Sequence, residues 1–482
     1  MKANNQDGGK GLNLWTLVML IFVPTFGFNN ITTNGVALGP AAVPSWMLVC
    51  IFYFLPLTAI IAELASANKG KKGGIYSWIA CGLGDRWAFF GTWSYFIANL
   101  FYLQYVFSRI PVMSSWALFG ENRFSDQNVT ILPWLAIVLC LALTWVASRG
   151  VKYFSKLSSI GGKFTVLATG SFILFAFYAY ATGTPSASEW TMETTIPDFS
   201  TSYFATFSWL LFAVAGAEVA GTYIHKIDNP IKVFPRGVLI ATMLVGVAYI
   251  VGSIAVSLVA SPEVLQEAGL KDANYIVYMI LAESLGISGK AVVQIYSAVL
   301  VLTSVAAYVV WIESPIRAMF ADIPDGMFPK YLTTQDKTGS FANALWTQAG
   351  IVVVLIALPL IGLESIDAFF RLITDLSALS LVIPYIILAA AFLAFRRKHA
   401  PGPFTMLRSN MLATVVAVMT VVISIAGFFG AGLDYYVDAE TGAEAAQAIA
   451  LTYGGPILLI AVGYGITHFN KKSDKSQPGA KA

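Results

Sequence analysis

The residues that could do chemistry are few, and they stand where charge is costly. Three basic residues, Arg109, Lys163 and Arg371, lie inside long apolar stretches, and four acidic ones, Glu63, Glu218, Glu313 and Asp375, lie within or at the ends of such stretches. An ionisable group at bilayer depth is a functional candidate by default, because burying it in hydrocarbon is expensive. Such groups can bind and move a charged or zwitterionic solute. Bond-making chemistry has no residue set here. His225, His399 and His468 fall far apart at expected helix ends, and no Ser–His pair or His–Asp cluster stands mid-span. Cys50, Cys81 and Cys140 lie in or beside apolar runs with no CxxC spacing, so neither a metal site nor a disulfide framework is expected. No cofactor is implied.

Five of the seven charges have a ready structural role. Glu63 and Glu313 fall near the inner ends of their stretches, within reach of loop cations. Arg371 and Asp375 are four apart on one helix and can pair with each other. Arg109 can snorkel toward an interface. Glu218 and Lys163 are harder to dismiss. Glu218 sits in Ala215-Gly216-Ala217-Glu218-Val219-Ala220-Gly221, where small residues suit tight helix packing and also suit an interrupted helix. A second interruption is written in Pro24-Thr25-Phe26-Gly27-Phe28-Asn29-Asn30, with Pro, Gly and two adjacent amides in an apolar run.

The elements that must position these residues are membrane helices. Of 482 residues, 57% are hydrophobic and 11% charged, against about 25% charged in soluble domains, and the mean hydropathy is +0.71. Apolar runs such as 237–260 and 411–429 match the ~20 residues that cross a bilayer. The first run is too long for a cleaved leader, contains Pro24, and lacks a small-residue cleavage site. Twelve spans are expected, near 14–38, 45–67, 87–116, 131–148, 158–182, 204–225, 234–260, 287–320, 342–362, 366–395, 410–431 and 447–468. With both termini placed in the cytoplasm, the basic residues sort cleanly. Of 29 lysines and arginines, only Arg123, Lys271 and Lys290 fall outside, and only Arg109, Lys163 and Arg371 fall within spans; the rest are internal, as the positive-inside rule requires. The net charge of +3 is small and dispersed, which argues against nucleic acid.

Interruptions in spans 1 and 6 are what a five-plus-five inverted repeat would show, with the breaks meeting near the midplane. The expected organisation is an all-α membrane protein. A cytoplasmic tail (1–13) is followed by one five-helix repeat (14–182), an inverted second (204–395), two additional spans (410–468) and a polar, disordered tail (469–482).

At this point the chain resembles the amino acid–polyamine–organocation superfamily of transporters. The residues that carry the resemblance are Glu63-Leu64-Ala65-Ser66-Ala67 with Gly73-Gly74-Ile75-Tyr76-Ser77-Trp78, and Gly150-Val151-Lys152; they continue with Glu218 followed by Asn229-Pro230 and Pro235-Arg236, and with Ser314-Pro315-Ile316-Arg317-Ala318-Met319 followed by Asp325-Gly326-Met327-Phe328-Pro329. Within the superfamily it looks most similar to the glutamate:GABA antiporter group. The tail from about Asn470 looks too short to plug the inner opening as in some members of that group.

The resemblance implies a substrate site on backbone. N–H groups from about Gly27 to Asn30, at the start of the second half-helix of span 1, would face a carboxylate. Carbonyls near Val23 to Thr25 and Ala213 to Gly216 would face an ammonium. Thr25-Phe26-Gly27-Phe28 stands where the family often has Gly-x-Gly. Phe212 falls where some relatives place an aromatic gate, and Glu218 is a candidate for gating or coupling. Lys163 falls at the spacing where sodium-independent members carry a lysine in place of a bound Na⁺. Thr303 and Ser304 on span 8 keep a sodium reading open. Asn99, Tyr102, Tyr105, Trp311 and Arg371 are candidates for reading the side chain; Arg371 in the cavity would favour an acidic substrate, and Arg371 paired with Asp375 a neutral one.

The expected function is secondary transport of amino acids or close derivatives across the cell (inner) membrane by alternating access, independent of sodium and by exchange. Proton-coupled symport, with protons as a partner, and a non-translocating sensor are the alternatives. A channel would need a lined pore with rings of charge or carbonyls, which the sequence lacks, and the missing catalytic set argues against an enzyme.

Overall fold

Apolar composition and length force helices, since a backbone in hydrocarbon must satisfy its own hydrogen bonds. The computed structural model describes residues 13–68, 74–128, 130–149, 152–218, 227, 229–320, 328–336, 339–358, 365–398, 405–437, 439, 441–463 and 465, and no β-strand occurs among them. The expected tails (apart from Asn13), Gly73, Gly150, Val151, the second half of span 6 at 219–226, the motif at 325–327, His225, His399 and His468 lie outside the described residues.

Helix is found at every expected span. Span 1 is Leu14–Thr25 and Phe28–Leu38; span 2 runs Ala42–Val49, a wider π-turn at Cys50–Phe54, and Leu55–Ala67. Asp85–Phe119, Ile131–Ser148, Lys152–Ala181, Thr201–Ala213, Pro230–Val259, Gly289–Phe320, Ala342–Ala357, Ile366–Lys398 and Asn410–Gly430 follow at spans 3 to 11, and Gly442–Ile449 with Ala450–Gly454 leads into the last. Eight helical stretches among the described residues have the length and apolarity to cross a membrane. Leu14–Thr25 and Ala342–Ala357 are apolar but shorter. Asp85–Phe119 falls short on apolarity because it turns Asn99, Gln104 and Ser108 into the protein, each nearly fully buried.

The outer surface has the inverse of a soluble pattern. On Asn410–Gly430, Met411, Val415, Val418, Val422, Ile425 and Phe429 recur every three or four residues and all are exposed, Met411 at 78%. An exposed apolar stripe at helical spacing is a lipid-facing surface. The interior forms two apolar clusters. One gathers Leu17, Trp46, Leu210 and Phe234 from spans 1, 2, 6 and 7; the other gathers Phe101, Leu132, Leu345 and Phe369 from spans 3, 4, 9 and 10.

Besides short helical turns, two longer helices among the described residues were not foreseen. Ile75–Leu83 follows span 2, and Pro262–Ser284 lies between spans 7 and 8. The latter begins at Ser261, whose hydroxyl accepts from the Val264 N–H at 3.4 Å, with Pro262 in its first turn. It kinks at Gly269 (φ 64°, ψ −174°) and lays Tyr278 edge-on against Phe28, ring centroids 5.0 Å apart. Its apolar run at 275–282 is too short to read as a span, and Glu, Gln, Lys and Asp fill the turns before it.

A candidate substrate site where two helices break

The first half-helix of span 1 ends at Thr25. Phe26 (φ −95°, ψ 128°) and Gly27 (φ −138°, ψ 126°) are extended, and Phe28 starts the second half-helix. Pro24 supplies no N–H, and Gly27 caps the next half-helix with no side-chain bond. The N–H groups of Phe28 and Asn29, in the first turn, therefore have no intrahelical acceptor. Span 6 stops at Ala213, and Gly216 takes φ +119°, a conformation that glycine alone adopts without strain. The two breaks touch. A Cβ built on Gly216 would lie 3.1 Å from Thr25 Oγ1 and 3.3 Å from the Pro24 carbonyl.

Both breaks open on one cavity of about 700 Å³. Its lining includes all twelve residues singled out from sequence: Val23, Thr25, Phe26, Gly27, Phe28, Asn29, Asn30, Phe212, Ala213, Gly216, Glu218 and Lys163. Asn99, Tyr102, Tyr105 and Trp311 also line it, and Arg371 does not. Phe212 packs among Tyr102 and Tyr105, with ring centroids 6.1 and 6.0 Å away. Arg371 instead lies over the Tyr435 ring at 5.5 Å, and Asp375 accepts from Trp209 Nε1 at 2.6 Å.

Glu218 is 4% exposed. One carboxylate oxygen accepts from the Gly216 N–H at 3.1 Å and the other from the Tyr95 hydroxyl at 3.1 Å. It thus ties the span 6 break to span 3. Among the described residues no cation stands within salt-bridge distance of it. Glu63, as expected, has a structural partner. Its Oε2 lies 3.4 Å from Arg396 Nη1, and its Oε1 accepts from the Leu407 N–H at 2.7 Å. Arg396 also donates to the Leu407 carbonyl.

The two basic residues on the cavity wall stand differently from one another. Lys163 borders the cavity together with Val23, Thr303 and Ser304, yet it is exposed and makes no hydrogen bond to them among the described residues. The Thr303 hydroxyl bonds to its own helix, at the Leu300 carbonyl, 3.2 Å away. The expectation that Arg109 snorkels outward is corrected. This residue lines the cavity and donates to Tyr105 Oη and, at 2.7 Å, to the Leu270 carbonyl on the unforeseen helix.

Sequence reasoning missed Tyr249. Its hydroxyl lies 2.9 Å from the Thr25 carbonyl and 2.8 Å from that of Ala213, so one proton serves the last carbonyls of both broken helices. The same oxygen accepts from the Gly27 N–H at 3.3 Å and from Asn30 Nδ2 at 3.0 Å. The ring is fully buried and stacks on Trp46, centroids 4.2 Å apart and 8° from parallel. The available signal was its status as the sole aromatic residue of the 237–260 run.

A broken span 1 and the end of the first span 6 helix meet at one cavity inside an apolar-surfaced helical bundle, the arrangement of a membrane carrier, and the family follows from comparison. A model of the amino acid permease family matches residues 12–439. The chain belongs to that family, within the amino acid–polyamine–organocation superfamily. It is 27% identical over 416 residues to an aspartate/glutamate permease of Lactococcus lactis subsp. cremoris, covering 84% of each chain. It is 26% identical over 442 residues to the inner membrane transporter YjeM of Escherichia coli, covering 86% of this chain and 88% of the other. A glutamate/gamma-aminobutyrate antiporter of L. lactis subsp. cremoris is 25% identical over 311 residues, 63% of this chain and 60% of its own. The protein is a multi-pass membrane transporter of amino acids and not an enzyme.

Proposed function

We propose that the protein is a sodium-independent secondary carrier that exchanges amino acids, or close derivatives, across the cell membrane by alternating access. The observation that carries this reading is the meeting of two helix breaks on one cavity. Free N–H groups at Phe28 and Asn29 form an anion-binding end. The Val23 and Pro24 carbonyls, beyond the last donors of the first half-helix, offer acceptors to an ammonium. A zwitterion laid across the break would satisfy both. The full architecture in this proposal is twelve spans as two inverted five-helix repeats plus two, with both termini cytoplasmic. Phe212, in its aromatic cluster beside the break, closes the site, and Glu218 couples the span 6 break to span 3.

Lys163 supports sodium independence. A lysine charge bordering the same space as Thr303 and Ser304 disfavours a second cation there. Glu218 favours one further reading, proton-coupled symport, because a buried carboxylate without a cation partner can exchange a proton with the cavity. The test is uptake of a panel of labelled amino acids into proteoliposomes. An exchanger is fast only when unlabelled amino acid is loaded inside. A proton symporter runs into empty vesicles under an inward proton gradient. Replacing Na⁺ by choline on both sides should leave the initial rate within about twofold, less than ~0.5 kcal/mol of coupling. A strict Na⁺ requirement would refute sodium independence and turn attention to Thr303 and Ser304.

A further inference from the structure

We propose that Arg109 is the receptor for a second carboxylate, which makes acidic amino acids the preferred substrates of the cavity; this rests on the carrier reading above. Among the described residues the ionisable groups of the cavity wall with carboxylate, ammonium or guanidinium chemistry are Arg109, Lys163 and Glu218. Positive charge exceeds negative by one. A zwitterion leaves that imbalance, and an amino acid with an anionic side chain cancels it.

The guanidinium is held ready. One nitrogen donates to Tyr105 Oη and another to the Leu270 carbonyl, while the rings of Tyr105 and Phe370 flank it, centroids 4.9 and 5.6 Å from its central carbon. No carboxylate stands within salt-bridge distance among the described residues. An arginine fixed on neutral partners keeps further N–H donors in its planar fork, the geometry that matches a carboxylate. Leaving that charge without a counter-ion in a partly dehydrated cavity is costly, and a bound anion relieves the cost.

Position fits as well. The Tyr105 hydroxyl accepts from Arg109 and also from Asn29 Nδ2, at 3.0 Å. Asn29 stands in the first turn of the half-helix proposed to take the α-carboxylate. Two hydrogen-bond lengths through one oxygen put the guanidinium and the Asn29 amide within about 6 Å, so the two anion receptors lie about one short side chain apart. Arg371, the residue that sequence alone offered for this task, is off the cavity wall.

The experiment compares labelled L-glutamate with its uncharged near-isostere L-glutamine, using full-length protein in proteoliposomes. The parent should transport glutamate at least about tenfold more efficiently, the scale of a hydrogen-bonded charge pair. Arg109→Gln should collapse that ratio by at least about tenfold, and Arg109→Lys should recover part of it. An equal loss on both substrates in folded, monodisperse Arg109→Gln would make Arg109 structural and overturn the proposal. So would a parent that carries neutral or basic amino acids and neither glutamate nor aspartate; the carrier reading would then stand. If Arg109→Gln fails to fold, the parent's ratio and that of Arg109→Lys decide, and a neutral preference in both would refute it. A parent that moves no amino acid would sink the carrier reading itself.

Discussion

Glu63 and Glu218 are both nearly fully buried carboxylates beside small residues on apolar helices, 3% and 4% exposed, and their surroundings differ completely. Glu63 is locked to Arg396 and to the Leu407 N–H, a closed clasp joining span 2, span 10 and the entry to span 11. Glu218 has no cation; a break N–H and a phenol hold it, and it faces the cavity. Burial of charge alone therefore does not mark function in a membrane protein. In the proposed mechanism the partner does: the Glu63 ion pair serves architecture, and the Glu218 carboxylate, held by neutral donors beside the cavity, serves coupling.

The comparison breaks most severely at the helix breaks themselves. Gly216→Ala adds a Cβ at φ +119°, 3.1 Å from Thr25 Oγ1. Strain of this kind costs about 1–3 kcal/mol, and here it falls where the two breaks touch. Transport by the folded protein should drop by about a hundredfold, measured as initial rate per purified molecule; a rate within threefold of the parent would remove the contact from the mechanism.

Next comes the clasp. Removing one member of a buried ion pair costs about 3–5 kcal/mol, so Glu63→Ala should lower thermal stability in detergent strongly and reduce the yield of folded protein. The surviving molecules should transport near the parent rate. Glu218→Gln should do the reverse, keeping stability and flattening the dependence of transport on pH. Superimposable pH profiles for parent and Glu218→Gln would make the two acids alike and end the distinction.

Tyr249→Phe sharpens it further. The phenol oxygen serves two carbonyls, one backbone N–H and one amide across the breaks. Losing it leaves buried groups unpaired at about 1–3 kcal/mol, and transport should fall about tenfold with the fold retained. An unchanged rate would reduce Tyr249 to packing.

The smallest effect lies outside the spans, at Asp272 on the Pro262–Ser284 helix. Burial pushes its carboxyl up to about 6, against the opposing Trp116 hydrogen bond and Lys271. The folded state thus holds this proton more tightly than the unfolded chain. The stability it gains is complete below the ordinary value of 3.8 and is lost as pH rises through about 6. Asp272→Asn should flatten a pH 4–7 series of melting temperatures; a series parallel to the parent's would contradict this.

Much of this was legible before any coordinates. Pro24, Gly27 and Gly216 announce their breaks because backbone freedom and a missing N–H are local properties. The apolar runs place the spans for the same reason. What was not legible depended on distant partners or on polarity. Tyr249 gains its role from residues 224 and 36 positions away. The Pro262–Ser284 helix carries only a short apolar run, at 275–282, below the length of a span. Arg109 was read as a snorkelling residue because its acceptor, the Leu270 carbonyl, comes from that same helix. Lys163, singled out by spacing, borders the cavity with an exposed side chain.

The central claim is that substrate sits on the break in span 1, and equilibrium binding of labelled amino acid to Gly27→Leu tests it most directly. A Cβ at Gly27 would already lie 2.8 Å from Asn29 Oδ1, so the larger side chain fills the space where backbone N–H groups would meet the carboxylate. Purified parent should bind its substrate saturably, and Gly27→Leu, at an unchanged melting temperature, should show no saturable binding. A folded Gly27→Leu protein that binds with the parent's Kd would contradict the account.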